Sequence, residues 1–225
     1  MDIACAFTDW TLSEIGTIRR EIDHEIFDYQ TLISTLSALS KPRDKIGRLL
    51  ASGDLMRIKK GLYCFGEAFR REPICRETLA NLLYGPSYVS LEYALGFHGL
   101  IPERIEQVTS VTTGRSRAFR TPFGRFSYAT LGESRFSVGT RLEGTGSRRF
   151  LVASPEKALA DKVWKDKRFG GGRVSDYEAY LLEDLRIDPT GLQALDQTAL
   201  EAIAHAYDSP KMNRLLSALG RMREA

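Results

Sequence analysis

Apolar residues recur at three- and four-residue steps near the start of the chain, at Leu12, Ile15, Ile18, Ile22 and Ile26. This spacing predicts a helix over residues 11–27. Asp28 is placed to cap a second helix over 29–36, with Leu32, Ile33 and Leu36 turned inward. Ala38 and Leu39 read as a short turn. Ser40 is placed to cap a third helix over 41–52, with Pro42 tolerated in its first turn. That helix carries one narrow apolar stripe, Ile46, Leu49 and Leu50, and Gly53 is suited to end it. Residues 55–59 and 62–65 then read as two strands that turn at Lys60-Gly61, and 76–84 as a fourth helix broken by Gly85-Pro86.

The pattern changes after residue 85. Ser90 is placed to cap a helix over 91–98, which Gly99 closes. Residues 104–113 read as a strand, and 118–131 as a hairpin around Thr121, Pro122, Phe123 and Gly124. Another short strand covers 150–153. Ser154-Pro155 opens a helix to about residue 167, Gly170, Gly171 and Gly172 form a loop, and three helices are expected over 176–185, 198–207 and 210–222. The fold class is therefore α+β. Three helices followed by a basic hairpin is the order of a winged helix-turn-helix, expected over 1–85. A mixed α+β domain with a small sheet and C-terminal helices is expected over 86–225.

Composition adds limits. No run of 18 apolar residues occurs, so no transmembrane helix and no membrane partner is expected. The first ten residues lack the basic and apolar blocks of a secretory signal. The three cysteines, Cys5, Cys64 and Cys75, are too few and too scattered for a disulfide framework or a zinc knuckle, and a cytoplasmic location is the simplest expectation. Net charge is only +3, but its distribution is uneven. Residues 1–40 hold seven acidic and two basic side chains, whereas 41–60 hold seven basic and two acidic ones. Residues 104–149 hold nine arginines, no lysine and three acids. Two positive blocks in an otherwise neutral or acidic chain suit a nucleic-acid footprint.

A recognition helix must pack one stripe on its domain and present donors on the other face. The third helix meets both demands. Lys41, Arg43, Lys45 and Arg48 flank or oppose the apolar stripe, and Arg57, Lys59 and Lys60 suit a wing that holds phosphate. The bland alternative is a solvated basic face. Arg115, Arg117, Arg120 and Arg125 form a second basic surface around the hairpin, or only a solvated one. Enzyme signatures are sparse, and none is expected to be catalytic. There is no Gly-x-Ser-x-Gly elbow, the three histidines lack metal-ligand spacing, and no acidic residue is followed two positions later by lysine. No metal and no cofactor is expected. A metal-dependent nuclease and a protein-interaction module without DNA binding remain as alternatives.

Three stretches carry a resemblance: residues 49–63 (LLASGDLMRIKKGLY), 88–101 (YVSLEYALGFHGLI) and 153–161 (ASPEKALAD). In their order and spacing the chain resembles the AbiEi-type antitoxins of type IV toxin–antitoxin (abortive infection) systems. The resemblance implies a two-domain cytoplasmic repressor whose winged helix binds inverted repeats in double-stranded DNA at its own promoter. It implies a C-terminal antitoxin domain that acts with, or on the action of, a nucleotidyltransferase-like toxin encoded next door, without need of direct binding. It carries the DNA-contacting role by position to Lys41, Arg43, Lys45, Arg48, Arg57, Lys59 and Lys60.

Overall fold

The computed structural model of the protein describes residues 14–37 and 40–224. Cys5, the start of the first expected helix and the Ala38-Leu39 turn lie outside the described residues. The chain divides into two compact units, residues 1–75 and 76–225. The boundary falls earlier than the sequence suggested, because the fourth helix packs on strands of the second unit.

The first unit runs α1 (Glu14–Glu21), β1 (Ile26–Asp28), α2 (Tyr29–Thr35), α3 (Pro42–Ser52), β2 (Leu55–Lys59) and β3 (Leu62–Phe65). Its three strands form an antiparallel sheet in the order β1-β3-β2. The expected helix over 11–27 stops at Glu21, because Ile26, Phe27 and Asp28 instead pair with Cys64, Tyr63 and Leu62. An apolar pair at Ile26-Phe27 fits a strand as well as a helix, and the vacant edge of β3 decides. Asp28 caps α2 as expected, its carboxylate accepting the Thr31 N–H at 2.8 Å. Ser40 does not cap α3. Pro42 occupies the first turn, so the cap position falls on Lys41, which is left-handed at φ 53° and makes no side-chain cap bond. Ile15, Ile18, Leu32, Leu36, Ile46, Leu49, Leu55 and Phe65 meet in one core. Arg19 is buried against it, with its guanidinium 2.7 Å from Glu25 and 4.3 Å from the centre of the Phe65 ring.

The second unit runs α4 (Arg76–Leu83), β4 (Ser87–Val89), α5 (Leu91–Phe97), β5 (Val108–Thr112), β6 (Arg117–Thr121), β7 (Gly124–Thr130), α6 (Glu133–Phe136), β8 (Thr140–Glu143) and β9 (Phe150–Ala153). It continues with α7 (Pro155–Lys165), α8 (Ser175–Ala179), which passes into a π-helical turn over Tyr180–Asp184, α9 (Pro189–Gln193), α10 (Gln197–Tyr207) and α11 (Pro210–Glu224). The sheet is larger than expected: six strands in the order β6-β7-β5-β4-β9-β8, parallel at β5-β7 and β4-β9 and antiparallel elsewhere. The sequence pattern does not predict β4, α6, β8 or α9. β4 and α9 are very short, and β8 carries only one strongly apolar side chain, Leu142. The strand expected from residue 104 begins at Val108.

Side chains alternate across the sheet. Tyr128 donates to the Ala80 carbonyl at 2.6 Å, so its face carries α4. Thr109, on the other face, donates to the Ser90 carbonyl at 2.6 Å and accepts the Tyr93 N–H, so that face carries α5. α7 packs along α5 and β9, and α10 and α11 pack on α7.

Candidate nucleic-acid interface

α3 is built as a two-sided helix. Pro42 starts it, and Gly53 stops it at φ 81°, a conformation that favours glycine. Ile46 and Leu49 are buried in the core. Lys41, Arg43, Asp44, Gly47 and Arg48 are exposed. Lys45 is only half-buried and is already engaged, with Nζ 2.7 Å from Glu14 Oε1. Arg48 reaches the same carboxylate at 3.4 Å from a side chain that stays largely exposed. Glu14 of α1 thus offsets part of the charge of α3, an influence that periodicity does not reveal.

The β2-β3 hairpin turns at Gly61, whose φ of 86° again favours glycine. Arg57 and Lys60 are exposed on it. Lys59 is half-buried, and loss of solvent lowers its pKa. The ladder shifts register between Arg57 and Lys59, which re-aims the tip of the hairpin. Five of the seven basic side chains singled out from the sequence, Lys41, Arg43, Arg48, Arg57 and Lys60, are therefore exposed on the first unit.

The arginine block of the second unit is not one surface. Arg115, Arg117, Arg120 and Arg125 are all exposed. Alternation along β6 sends Arg117 to the face of Tyr84, 5.5 Å from its ring centre, and Arg120 to the opposite face. Arg120 stands directly across from Arg125 on β7. The fold thus brings Arg120 and Arg125 together and separates them from Arg117.

A buried polar centre in the second unit lies outside the sites that the sequence pattern points to. Lys157 and Asp161, one turn apart on α7, are fully buried, with Nζ 3.2 Å from Oδ1. Asp161 accepts hydrogen bonds from the hydroxyls of Tyr88 at 2.9 Å, Ser90 at 2.6 Å and Tyr207. Lys157 Nζ also donates to the Arg135 carbonyl at 2.5 Å and to the Tyr207 hydroxyl at 2.9 Å. Ser90 therefore serves Asp161 rather than capping α5, whose N-terminus has no side-chain cap. Burial lowers the pKa of Lys157, while burial and the neighbouring Asp161 raise those of Tyr88 and Tyr207. Every donor in the centre has an acceptor, which suits a structural role. The available signal was a charged pair at i, i+4 within the apolar run Ala158, Leu159, Ala160 and Val163.

Beside it lies a cavity of about 600 Å³ whose walls include Glu92, Glu103, Lys162, Asp166, Phe169 and Tyr180. Lys162 Nζ donates to Glu92 at 2.8 Å and to Asp166 at 3.0 Å. Burial would lower the lysine pKa, but the two carboxylates overcome it and raise it. Burial would raise the Asp166 pKa, but Lys162, the Arg168 N–H and the Tyr180 hydroxyl hold it down at about 2. His98, at the end of α5, donates from Nε2 to the Ala153 carbonyl at 2.7 Å. The Gly170–Gly172 loop turns a carbonyl, that of Gly171, toward Arg214 at 3.1 Å.

Among the described residues, no group of three or more His, Cys, Asp or Glu side chains is placed to hold a metal ion. None of their helices is long and apolar enough to cross a membrane. No protein-family model matches the sequence, and no curated protein matches it.

Proposed function

We propose that the protein is a sequence-specific double-stranded-DNA-binding repressor whose first unit is a winged helix-turn-helix. The observation that carries this reading is the two-sided α3, with Ile46 and Leu49 buried and Arg43 and Arg48 exposed. The order α-β-α-α-β-β and the sheet order β1-β3-β2 support it, because they set a basic hairpin after a basic helix. In this reading Arg43 and Arg48 meet base edges in the major groove, and Lys45 joins them by exchanging Glu14 for DNA. Lys41, Arg57, Lys59 and Lys60 hold phosphates and set the register. Repression follows by steric block of transcription. The resemblance to AbiEi-type antitoxins extends the proposal. The operator is an inverted repeat at the protein's own promoter, and the second unit acts in the cytoplasm against a nucleotidyltransferase-like toxin, without catalysis of its own.

The test is a gel shift with the DNA upstream of the protein's own gene, against scrambled duplex. The proposal expects specific binding that a variant with Arg43, Lys45 and Arg48 all replaced by alanine loses. Equal affinity of the wild type for operator and scrambled duplex sinks it. If about five phosphates are neutralised, log K falls with log salt at a slope of about −4 to −5. Co-expression with the product of the neighbouring gene tests the antitoxin role. Unrelieved toxicity counts against it.

A further inference from the structure

We infer that a small basic pocket at the end of the β6-β7 hairpin in the second unit binds a phosphate ester, with an aromatic wall for the group that carries the phosphate. The pocket has a volume of about 330 Å³ and is lined by Arg76, Glu106, Gln107, Phe123, Gly124 and Arg125. That is near the lower end of the range for small-molecule sites and suits a mononucleotide better than a larger cofactor.

Three observations point to an anion. Arg76, the first residue of α4, is anchored by donating from NH2 to the Glu106 carbonyl, yet its Nε is buried with no hydrogen-bond partner. A buried guanidinium N–H left unpaired is costly, and a phosphate oxygen would satisfy it. Gly124 makes room for this guanidinium. A Cβ there would lie 2.9 Å from Arg76 NH2, and the residue has a φ of 115° that side chains rarely adopt. Finally, Arg125 stands directly opposite Arg120 across the edge ladder. Like charges in that position repel, and an anion between or beside them relieves the repulsion.

The acidic side chain in the lining does not cancel this charge. Glu106 is exposed, and its carboxylate is 3.5 Å from the Arg104 guanidinium. Gln107 adds an amide on the face of Arg125, where its Nε2 donates to Ser127 Oγ at 2.7 Å. A guanidinium suits recognition of phosphate better than a lysine ammonium would. Phe123 adds aromatic area to the pocket wall. The inference does not depend on DNA reading by α3, since every residue in it belongs to the second unit.

The test is calorimetric titration of the full chain with adenosine monophosphate, inorganic phosphate and adenosine. The variants are Arg125→Ala, Arg76→Lys and, as a charge control away from the pocket, Arg221→Ala. Arg125 is exposed, so its replacement leaves the fold intact and decides the matter even if the Arg76 variant misfolds. The expected result is saturable binding of adenosine monophosphate, weaker binding of phosphate and none of adenosine. Arg125→Ala weakens the nucleotide at least tenfold, and Arg221→Ala changes it by less than twofold. The same variants titrated with scrambled duplex identify the source of the phosphate. A loss of nucleotide binding with unchanged duplex affinity assigns the pocket to a free nucleotide. A weaker duplex complex and a shallower salt slope for Arg125→Ala alone, with no nucleotide binding, assign it to the phosphate of a nucleic-acid strand. If the wild type binds neither probe saturably, or if Arg125→Ala and Arg221→Ala behave alike, the pocket is not a phosphate site.

Discussion

Gly66 shows how closely a single residue can be specified. A Cβ on it would lie 1.9 Å from the Gly53 carbonyl oxygen, and both are backbone sites that cannot swing aside. Its N–H also donates to the Asp54 carbonyl at 2.7 Å, tying the end of β3 to the loop before β2. Gly66→Ala is therefore expected to destabilise the first unit by about 1–3 kcal/mol. Denaturant unfolding checks this, and an unchanged midpoint would show that the loop yields. The Lys157–Asp161 pair makes a second residue-scale prediction. Asp161→Asn leaves a buried ammonium without its carboxylate and should cost about 3–5 kcal/mol. Replacing both residues with apolar ones of similar size should cost less than the single change. The opposite order would mean that the hydrogen bonds to Tyr88, Ser90 and Tyr207 matter more than the charge. Asp166 supplies a pH dependence. Its folded pKa of about 2 lies below the ordinary aspartate value, so the ionised form favours the folded state. That stability is complete above about pH 4 and is lost as pH falls through 2, on the order of 2 kcal/mol. Asp166→Asn should lose it at neutral pH and flatten the profile of unfolding free energy between pH 4 and 2.

At the scale of elements, the proposed repressor gives α3 and the β2-β3 hairpin different work. α3 presents Arg43 and Arg48 on a rigid helix, whereas the hairpin presents Arg57 and Lys60 around a glycine turn. Base contacts specify and phosphate contacts position. Arg43→Ala should therefore cost about 1–3 kcal/mol on the operator and relax its preference at one base position. Arg57→Ala with Lys60→Ala should weaken operator and scrambled duplex alike and make the salt slope shallower by about 2. Affinity measured at several salt concentrations separates the two patterns. Glu14→Gln adds a third pattern. It frees Lys45 and Arg48 from their carboxylate and should tighten DNA binding modestly, by a factor that shrinks as salt rises.

At the scale of the molecule, the chain forms two compact units. The second unit has its own sheet, its own buried polar centre and its own helices. Residues 76–225 expressed alone should fold, keep the acid-linked loss of stability from Asp166 and lack operator binding. Circular dichroism and a gel shift check both halves of that statement. A fragment that stays unfolded would show that the two units depend on each other. The sequence by itself determined the elements whose signals are local. Asp28 caps α2 through its own third neighbour, Gly53 and Gly61 take positive φ where the pattern stops, and Ser154-Pro155 opens α7. It also determined which face of α3 is apolar, because Ile46 and Leu49 lie on one stripe. Tertiary structure decided the rest. Ile26 and Phe27 became a strand because β3 offered an edge, and β4 and β8 formed because long-range partners fixed segments too short to declare themselves. Only the register of β6 on β7 placed Arg120 opposite Arg125 and turned Arg117 away. Only packing put Glu14 on Lys45 and gathered Tyr88, Ser90, Lys157, Asp161 and Tyr207 from distant parts of the chain. Periodicity and capping depend on neighbours within a few residues, whereas charge pairing and strand pairing depend on which surfaces meet.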